Sequence, residues 1–147
     1  MQLNVERGVP DLYVDGVPDL AVMDAAFCRA FAVAPPGLFD GADGGRDWLL
    51  AMERQAVGLC HRLDRSAFAT KLDLFLPAPL DILPRLRTFA ALLDCQLALD
   101  LGRDAADDLA LLIPPDGRLV MGLLEVVGPG RAGDAPEVAF RSASVGS

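Results

Sequence analysis

Cys60 and His61 are the adjacent pair in this sequence that most suggests nucleophilic catalysis. Such catalysis needs a thiolate and a base whose side chains meet. Neighbouring side chains point to opposite faces of a strand and diverge by about 100° on a helix, so adjacency alone does not bring the two groups together. We therefore interpret both residues as structural and predict no catalytic residue.

The sequence also holds few histidines and cysteines that could bind a metal ion. His61 is the only histidine, and Cys28, Cys60 and Cys95 are widely spaced without a CxxC motif. The acidic glycine-rich stretch DGADGGRD, residues 40–47, does not match the ligand spacing of an EF-hand and lacks the lysine of a phosphate-binding loop. We predict no metal, no cofactor, and reduced, mostly buried thiols as in cytosolic proteins.

Acidic residues dominate the charge of the chain. There are 21 of them against 13 basic residues, a net charge of −8, and Lys71 is the only lysine. This balance repels nucleic acid and anionic membranes and favours a basic protein as partner.

Two stretches concentrate the carboxylates. Between positions 94 and 108 the chain carries five aspartates against Arg103, and we predict that these aspartates bind the partner: Asp94, Asp100, Asp104, Asp107 and Asp108. The alternative interpretation is a solvated connector that keeps the protein soluble. A second stretch has no basic residue before Arg29, and it could share the same face: Asp11, Asp15, Asp19 and Asp24.

Two segments show the apolar spacing of helices. Asp19 is placed to cap a helix that runs to the Pro35-Pro36 stop, and Asp81 to cap a helix that runs to Leu93. Residues 48–63 fit both the helical and the strand period, and we favour a helix that gives way to a strand near Gly58.

Alternating apolar residues predict the strands. Strands at residues 70–76 and 97–101, with a helix between them, form a predicted strand–helix–strand unit. The PPDG turn at 114–117 predicts a hairpin. Further short strands are predicted at 3–5, 12–14 and 138–140. These elements indicate an α+β fold, in which a mixed or mostly antiparallel sheet forms one layer and helices packed on one face form the other.

The length of 147 residues suits a single domain, which we place at 1–141, followed by a flexible C-terminal tail at 142–147. No run of about 18 apolar residues is present to cross a bilayer. The first residues lack the basic and apolar regions of a secretory signal, so a soluble cytoplasmic protein is expected.

The segment from Thr70 to Glu125 contains, in this order, the strand TKLDLFL, the helix ending in FAALLDC, the strand QLALDL and the hairpin around IPPDGRLV. This order of elements resembles that of small bacterial immunity proteins. The resemblance is one of layout and carries over no individual residue. Such proteins are commonly acidic cytoplasmic inhibitors, so the resemblance implies neutralisation of a cognate toxin by occlusion of its active site.

Three hypotheses follow for function. The leading one is a non-enzymatic inhibitor that binds a basic toxin domain. The second is a chaperone for a secreted effector, a class that is also acidic and usually dimeric, so a homodimer is compatible with it. The third is an enzyme that uses Cys60, His61 or a pair of aspartates in a pocket.

Overall fold

The computed structural model describes residues 4–5, 11–42, 47–63, 68–101, 109–128 and 137–142. The helices in these ranges are α1 (Leu20–Phe31), α2 (Asp47–Met52) and α3 (Leu83–Leu93). The strands are β1 (Asn4–Val5), β2 (Leu12–Val14), β3 (Leu38–Asp40), β4 (Val57–Arg62), β5 (Thr70–Phe75), β6 (Leu80–Asp81), β7 (Leu97–Asp100), β8 (Leu109–Ile113), β9 (Val120–Gly128) and β10 (Glu137–Ser142). The predicted α+β fold class is confirmed.

Eight of these strands form one sheet in the order β10-β9-β8-β7-β2-β5-β4-β3. Only β3 and β4 pair in parallel, so the sheet is mixed and mostly antiparallel, as predicted. Strand β2 pairs antiparallel with both β5 and β7, which therefore run parallel to each other on either side of it. The predicted strand–helix–strand unit is thus present as β5-α3-β7, with the earlier strand β2 inserted between its two strands.

One face of the sheet, here called the first face, carries the main core. Leu72 and Leu74 of β5 point to this face, because side chains alternate along a strand and both residues belong to the main cluster. Helices α1 and α3 pack on it and on each other. The ring of Phe27 stacks on Phe31 with centroids 4.5 Å apart and meets Phe89 edge to face at 6.0 Å.

The opposite face, here called the second face, is only partly covered within the described ranges. Tyr13, Ala98 and Ala110 form a small buried cluster there with Leu63 and Phe68, which flank the β4–β5 connection. On the other side of this face the Trp48 ring of α2 packs on Phe75 at the end of β5, with centroids 5.2 Å apart. The short helix α2 therefore contacts the face opposite to α1 and α3, a placement that the sequence pattern did not predict.

The helix starts show which caps the sequence predicted correctly. The Asp19 carboxylate accepts a hydrogen bond from the Ala21 N–H at 3.2 Å, which confirms it as the N-cap of α1. For α3 the prediction holds in part. The Asp81 carboxylate accepts a hydrogen bond from the N–H of Leu83, the first residue of the helix, at 3.4 Å, but the N-cap position is Ile82, which makes no side-chain hydrogen bond. Asp81 lies one residue before the cap, in β6, which pairs with β1.

The ambiguous segment 48–63 divides as expected, into α2 and then β4, with the change at Val57. Strand β3 was not predicted, because its three residues are too few to show a period beside the Pro35-Pro36 stop. The predicted C-terminal tail lies outside the described residues except for Ser142. No helix in the described ranges is long and apolar enough to cross a membrane.

Candidate functional site

Three aspartates on neighbouring strands lie side by side on the second face. Asp73 lies between Leu72 and Leu74, and Asp100 follows Leu99, so both point away from the main core. Asp11 precedes β2, and its carbonyl oxygen accepts a hydrogen bond from the Asp100 N–H at 2.9 Å. The strand register sets Asp73 on the other side of Asp11. We call this row, Asp73, Asp11 and Asp100, the acidic strip.

Two basic side chains border the acidic strip. The Lys71 Nζ lies 3.7 Å from an Asp11 carboxylate oxygen and 3.4 Å from one of Asp73. The His61 Nε2 lies 2.9 Å from the other Asp73 oxygen, although the carboxylate is out of line with the ring N–H and the contact lacks hydrogen-bond geometry. The Lys71 ammonium is therefore shared between the carboxylates of Asp11 and Asp73.

The backbone at Gly41 passes close to the imidazole ring of His61 and fixes its position. The Gly41 N–H donates to the Cys60 carbonyl oxygen at 2.9 Å, which holds the chain after β3 against β4. A Cβ at Gly41 would lie 2.3 Å from the imidazole Cε1, so any side chain there would displace the ring. Glycine at this position therefore lets the imidazole stay beside Asp73.

The acidic strip is suited to binding cationic groups from outside the chain. Its side chains are partly exposed, 38% for Asp11 and 30% for Asp73, so an approaching guanidinium or ammonium can reach the oxygens. Among the described residues no three His, Cys, Asp or Glu side chains are placed to hold a metal ion.

The structure separates the two described members of the predicted Asp94–Asp108 cluster. Asp94 ends α3 in a left-handed conformation before β7 begins, and Asp100 is the last residue of that strand. They therefore lie at opposite ends of β7. Asp104, Asp107 and Asp108 lie outside the described residues, so their part in partner binding remains a prediction.

The second acidic stretch is divided by the fold. The Asp24 Oδ1 accepts hydrogen bonds from the Gly37 and Leu38 N–H groups at 2.7 and 2.8 Å, which ties α1 to the start of β3. Asp19 caps α1, and Asp11 joins the acidic strip. Asp24 is therefore engaged within the fold, while a face shared by the exposed Asp15 and Asp19 with the other carboxylates remains a prediction.

Lys71 and Asp73 were not predicted as site residues from the sequence, and Asp11 was named only as part of the second acidic stretch. The alternation of Lys71 and Asp73 with Leu72 and Leu74 does place them on one face of a strand. Their meeting with Asp11 and Asp100 depends on β2 lying between β5 and β7, which no local pattern encodes.

Cys60 and His61 lie on opposite faces of β4, as their adjacency on a strand requires. The Cys60 thiol is in the main core, 4% exposed, and burial there raises its pKa. Thiol and imidazole are therefore not arranged as a nucleophile and its base.

The second face also carries an apolar groove, which lies between α2 and the chain segment before β3. Its wall includes Pro35, Pro36, Phe39, Leu50, Ala51 and Arg54, and its volume is about 490 Å³. The Gln55 side chain joins the two walls, since its amide donates to the Ala34 carbonyl oxygen at 2.8 Å and accepts from the Ala34 N–H at 3.2 Å. We call this the α2 groove.

No family model, no curated protein and no solved structure matches this chain.

Proposed function

We propose that this chain is a non-enzymatic acidic binding protein, and specifically an immunity protein that neutralises a cognate bacterial toxin by occluding its active site. The observation that carries the proposal is the acidic strip, three carboxylates in register on adjacent strands. Strands lie about 4.8 Å apart, so the strip presents negative charge over about 10 Å of rigid sheet. A basic active-site surface would find its counter-charges already in place.

The net charge of the whole chain also favours a basic partner. A net charge of −8 attracts a basic protein over distances of about a Debye length, and the strip then provides the short-range contacts. An inhibitor needs no chemistry of its own, which agrees with the separation of Cys60 from His61.

The test is recovery of the partner from the organism that encodes the chain. We expect the tagged protein to recover one stoichiometric basic partner at low salt, and the purified partner to lose its enzymatic activity when the complex is rebuilt. The triple variant Asp11→Asn, Asp73→Asn, Asp100→Asn should lose the partner, while the control triple variant Asp15→Asn, Asp94→Asn, Asp116→Asn, which removes the same charge from other exposed positions, should retain it. Recovery of no partner, or equal retention by both variants, would contradict the proposal.

A chaperone for a secreted effector is the second candidate, and an exposed apolar groove on α1 favours it. The groove has a volume of about 470 Å³ and is lined by Ala21, Val22, Ala25, Ala26, Arg29 and Leu92. Val22 is 57% exposed and Leu92 39% exposed, which is unusual for the outward side of a surface helix.

The two candidates differ in what they bind. A chaperone holds an extended segment of its effector along an apolar surface, whereas an inhibitor binds the folded toxin domain. Substituting Val22→Ser should release the partner of a chaperone and leave that of an inhibitor in place. Limited proteolysis of the bound partner distinguishes them independently, since an extended segment stays cleavable on either side of the bound stretch.

A further inference from the structure

The α2 groove and the acidic strip belong to one continuous row across the sheet. Phe39 of β3 is in register with Leu59 of β4, and Leu59 is in register with Asp73 of β5. Because Leu38 points into the main core, its neighbour Phe39 points to the second face and lines the groove. The apolar groove therefore lies at one end of the row and the carboxylates at the other.

Strand spacing sets the distances along this row. With about 4.8 Å between neighbouring strands, the Phe39 position is about 10 Å from Asp73 and about 19 Å from Asp100. Leu59 lies between the groove and the first carboxylate and is partly exposed. The row is short enough to lie within one protein–protein interface, in which an apolar centre lies beside polar residues.

The groove is preformed for an apolar occupant. The paired hydrogen bonds of the Gln55 amide to Ala34 hold its walls together, so binding requires little ordering of the groove itself. Alanine, proline, phenylalanine and leucine make up six of its nine wall residues, beside Asp47, Arg54 and Gln55, and Leu50 is 61% exposed. Its volume lies within the range of about 300–1,000 Å³ that is typical of ligand pockets.

We propose that the α2 groove is the anchor site of the docking surface, and that it takes an apolar side chain of a basic polypeptide partner. The partner's apolar residue enters the groove while its arginines or lysines, about 10 and 19 Å away, face Asp73 and Asp100. This inference rests on the proposed function, because the charge of the acidic strip selects a basic partner over other occupants. The inference adds that the charge of the acidic strip does not suffice for binding without the groove.

The test uses a synthetic proline-rich peptide as probe, with one phenylalanine and arginines three and six residues after it. In the polyproline II conformation three residues make one turn and the rise is about 3.1 Å per residue, so the arginines share the face of the phenylalanine and fall about 9 and 19 Å from the anchor. Titration into ¹⁵N-labelled protein should shift the backbone amides of β3 and α2 together with those around Asp73. Replacing the phenylalanine of the peptide by serine should weaken binding by about five- to tenfold.

The groove is tested from the protein side by a matched pair of leucines on α2. Leu50 lines the groove, while Leu49 is also exposed, at 44%, but does not line it. We expect Leu50→Ser to weaken peptide binding by about five- to tenfold and Leu49→Ser to leave it unchanged. Equal effects of the two variants, no effect of the phenylalanine replacement, or no binding of the peptide would overturn the inference.

Variants that remove charge distinguish a failure of this inference from a failure of the proposed function. If Asp73→Asn weakens binding and Leu50→Ser does not, the acidic docking face stands and the anchor site fails. If Leu50→Ser weakens binding and neither Asp73→Asn nor replacement of the peptide arginines by glutamine does so, the groove binds apolar side chains but the proposed acidic docking face is wrong.

Discussion

At the scale of single residues, the aspartates of this chain perform different tasks although the sequence presents them as one class. Asp24 has a structural task, because its Oδ1 receives the N–H groups of Gly37 and Leu38. Asp15, from the same acidic stretch, has an exposed side chain. Exposure and the nearest backbone donors, and not local charge density, therefore decide which carboxylates are available to a partner.

We expect Asp24→Ala to lower the free energy of unfolding by about 2–3 kcal/mol, since two part-buried N–H groups lose a charged acceptor. Asp24→Asn keeps an acceptor oxygen and should cost about 1 kcal/mol. Urea denaturation followed by circular dichroism measures both. The control Asp15→Ala should change the free energy of unfolding by less than about 0.5 kcal/mol, and an equal loss in the control would show that Asp24 is not a structural residue.

The three thiols should differ in reactivity with iodoacetamide. Cys28 and Cys60 are buried and Cys95 is partly exposed. Burial raises the pKa of each thiol, so little thiolate is present near neutral pH. Mass spectrometry after brief treatment at about pH 8 should find the folded protein alkylated at Cys95 first, and all three sites modified in urea. Fast modification of Cys60 in the folded protein would restore the hypothesis of a reactive thiol.

Cys28 also makes stability depend on alkaline pH. Burial, with the neighbouring Asp24 carboxylate, raises the pKa of Cys28 from its ordinary value of 9.0 to about 11. Because the folded-state pKa is the higher one, the protonated thiol stabilises the fold fully below pH 9.0, and this contribution is lost as the pH rises through about 11. The difference in free energy of unfolding between the wild type and Cys28→Ala should therefore change across this window and be constant below it.

At the scale of elements, the helix layer depends on one aromatic junction. Phe89 of α3 is fully buried and meets the Phe27 ring of α1 edge to face at 6.0 Å. Both helices follow a clear apolar period, so their existence was predictable, but the pairing of these two rings was not. The junction sets how α1 and α3 cover the first face, and through Asp24 it also supports the start of β3.

We expect Phe89→Ala to lower the free energy of unfolding by about 3–5 kcal/mol, because it leaves a cavity between α1 and α3. Thermal and urea denaturation measure the loss. Leu92→Ala, on the exposed side of the same helix, serves as the control and should cost less than about 1 kcal/mol. Comparable losses for the two variants would mean that the α1–α3 junction is not a main source of stability.

At the scale of the whole molecule, the charges of the described residues differ between the two faces. The outward side of α1 and α3 carries Arg29 and Arg87, with Asp94 at the end of α3, whereas the second face carries the acidic strip with Lys71 beside it. We therefore expect the basic partner proposed above to approach the second face in preference to the helix layer.

We expect the association rate constant with the native partner to fall with rising salt, because the Debye length shortens from about 30 Å at 0.01 M to about 8 Å at 0.15 M ionic strength. Stopped-flow mixing measures this dependence. The triple Asp→Asn variant of the acidic strip should show a flatter salt dependence than the control triple variant Asp15→Asn, Asp94→Asn, Asp116→Asn, which has the same net charge. Equal slopes in the two triple variants would mean that the net charge of the chain, and not the strip, guides association.

Features that depend on neighbours along the chain can be predicted from the amino acids alone: the helices over Leu20–Phe31 and Leu83–Leu93, the alternating strands, the hairpin and the acidic balance. These follow from side-chain period, turn residues and composition, which are local quantities. Which charges meet, in contrast, depends on how the strands are ordered in the sheet. Asp11, Asp73 and Asp100 are far apart in sequence and come together because β2 inserts between β5 and β7, a pairing that depends on the free energy of burying the whole sheet and not on any single segment.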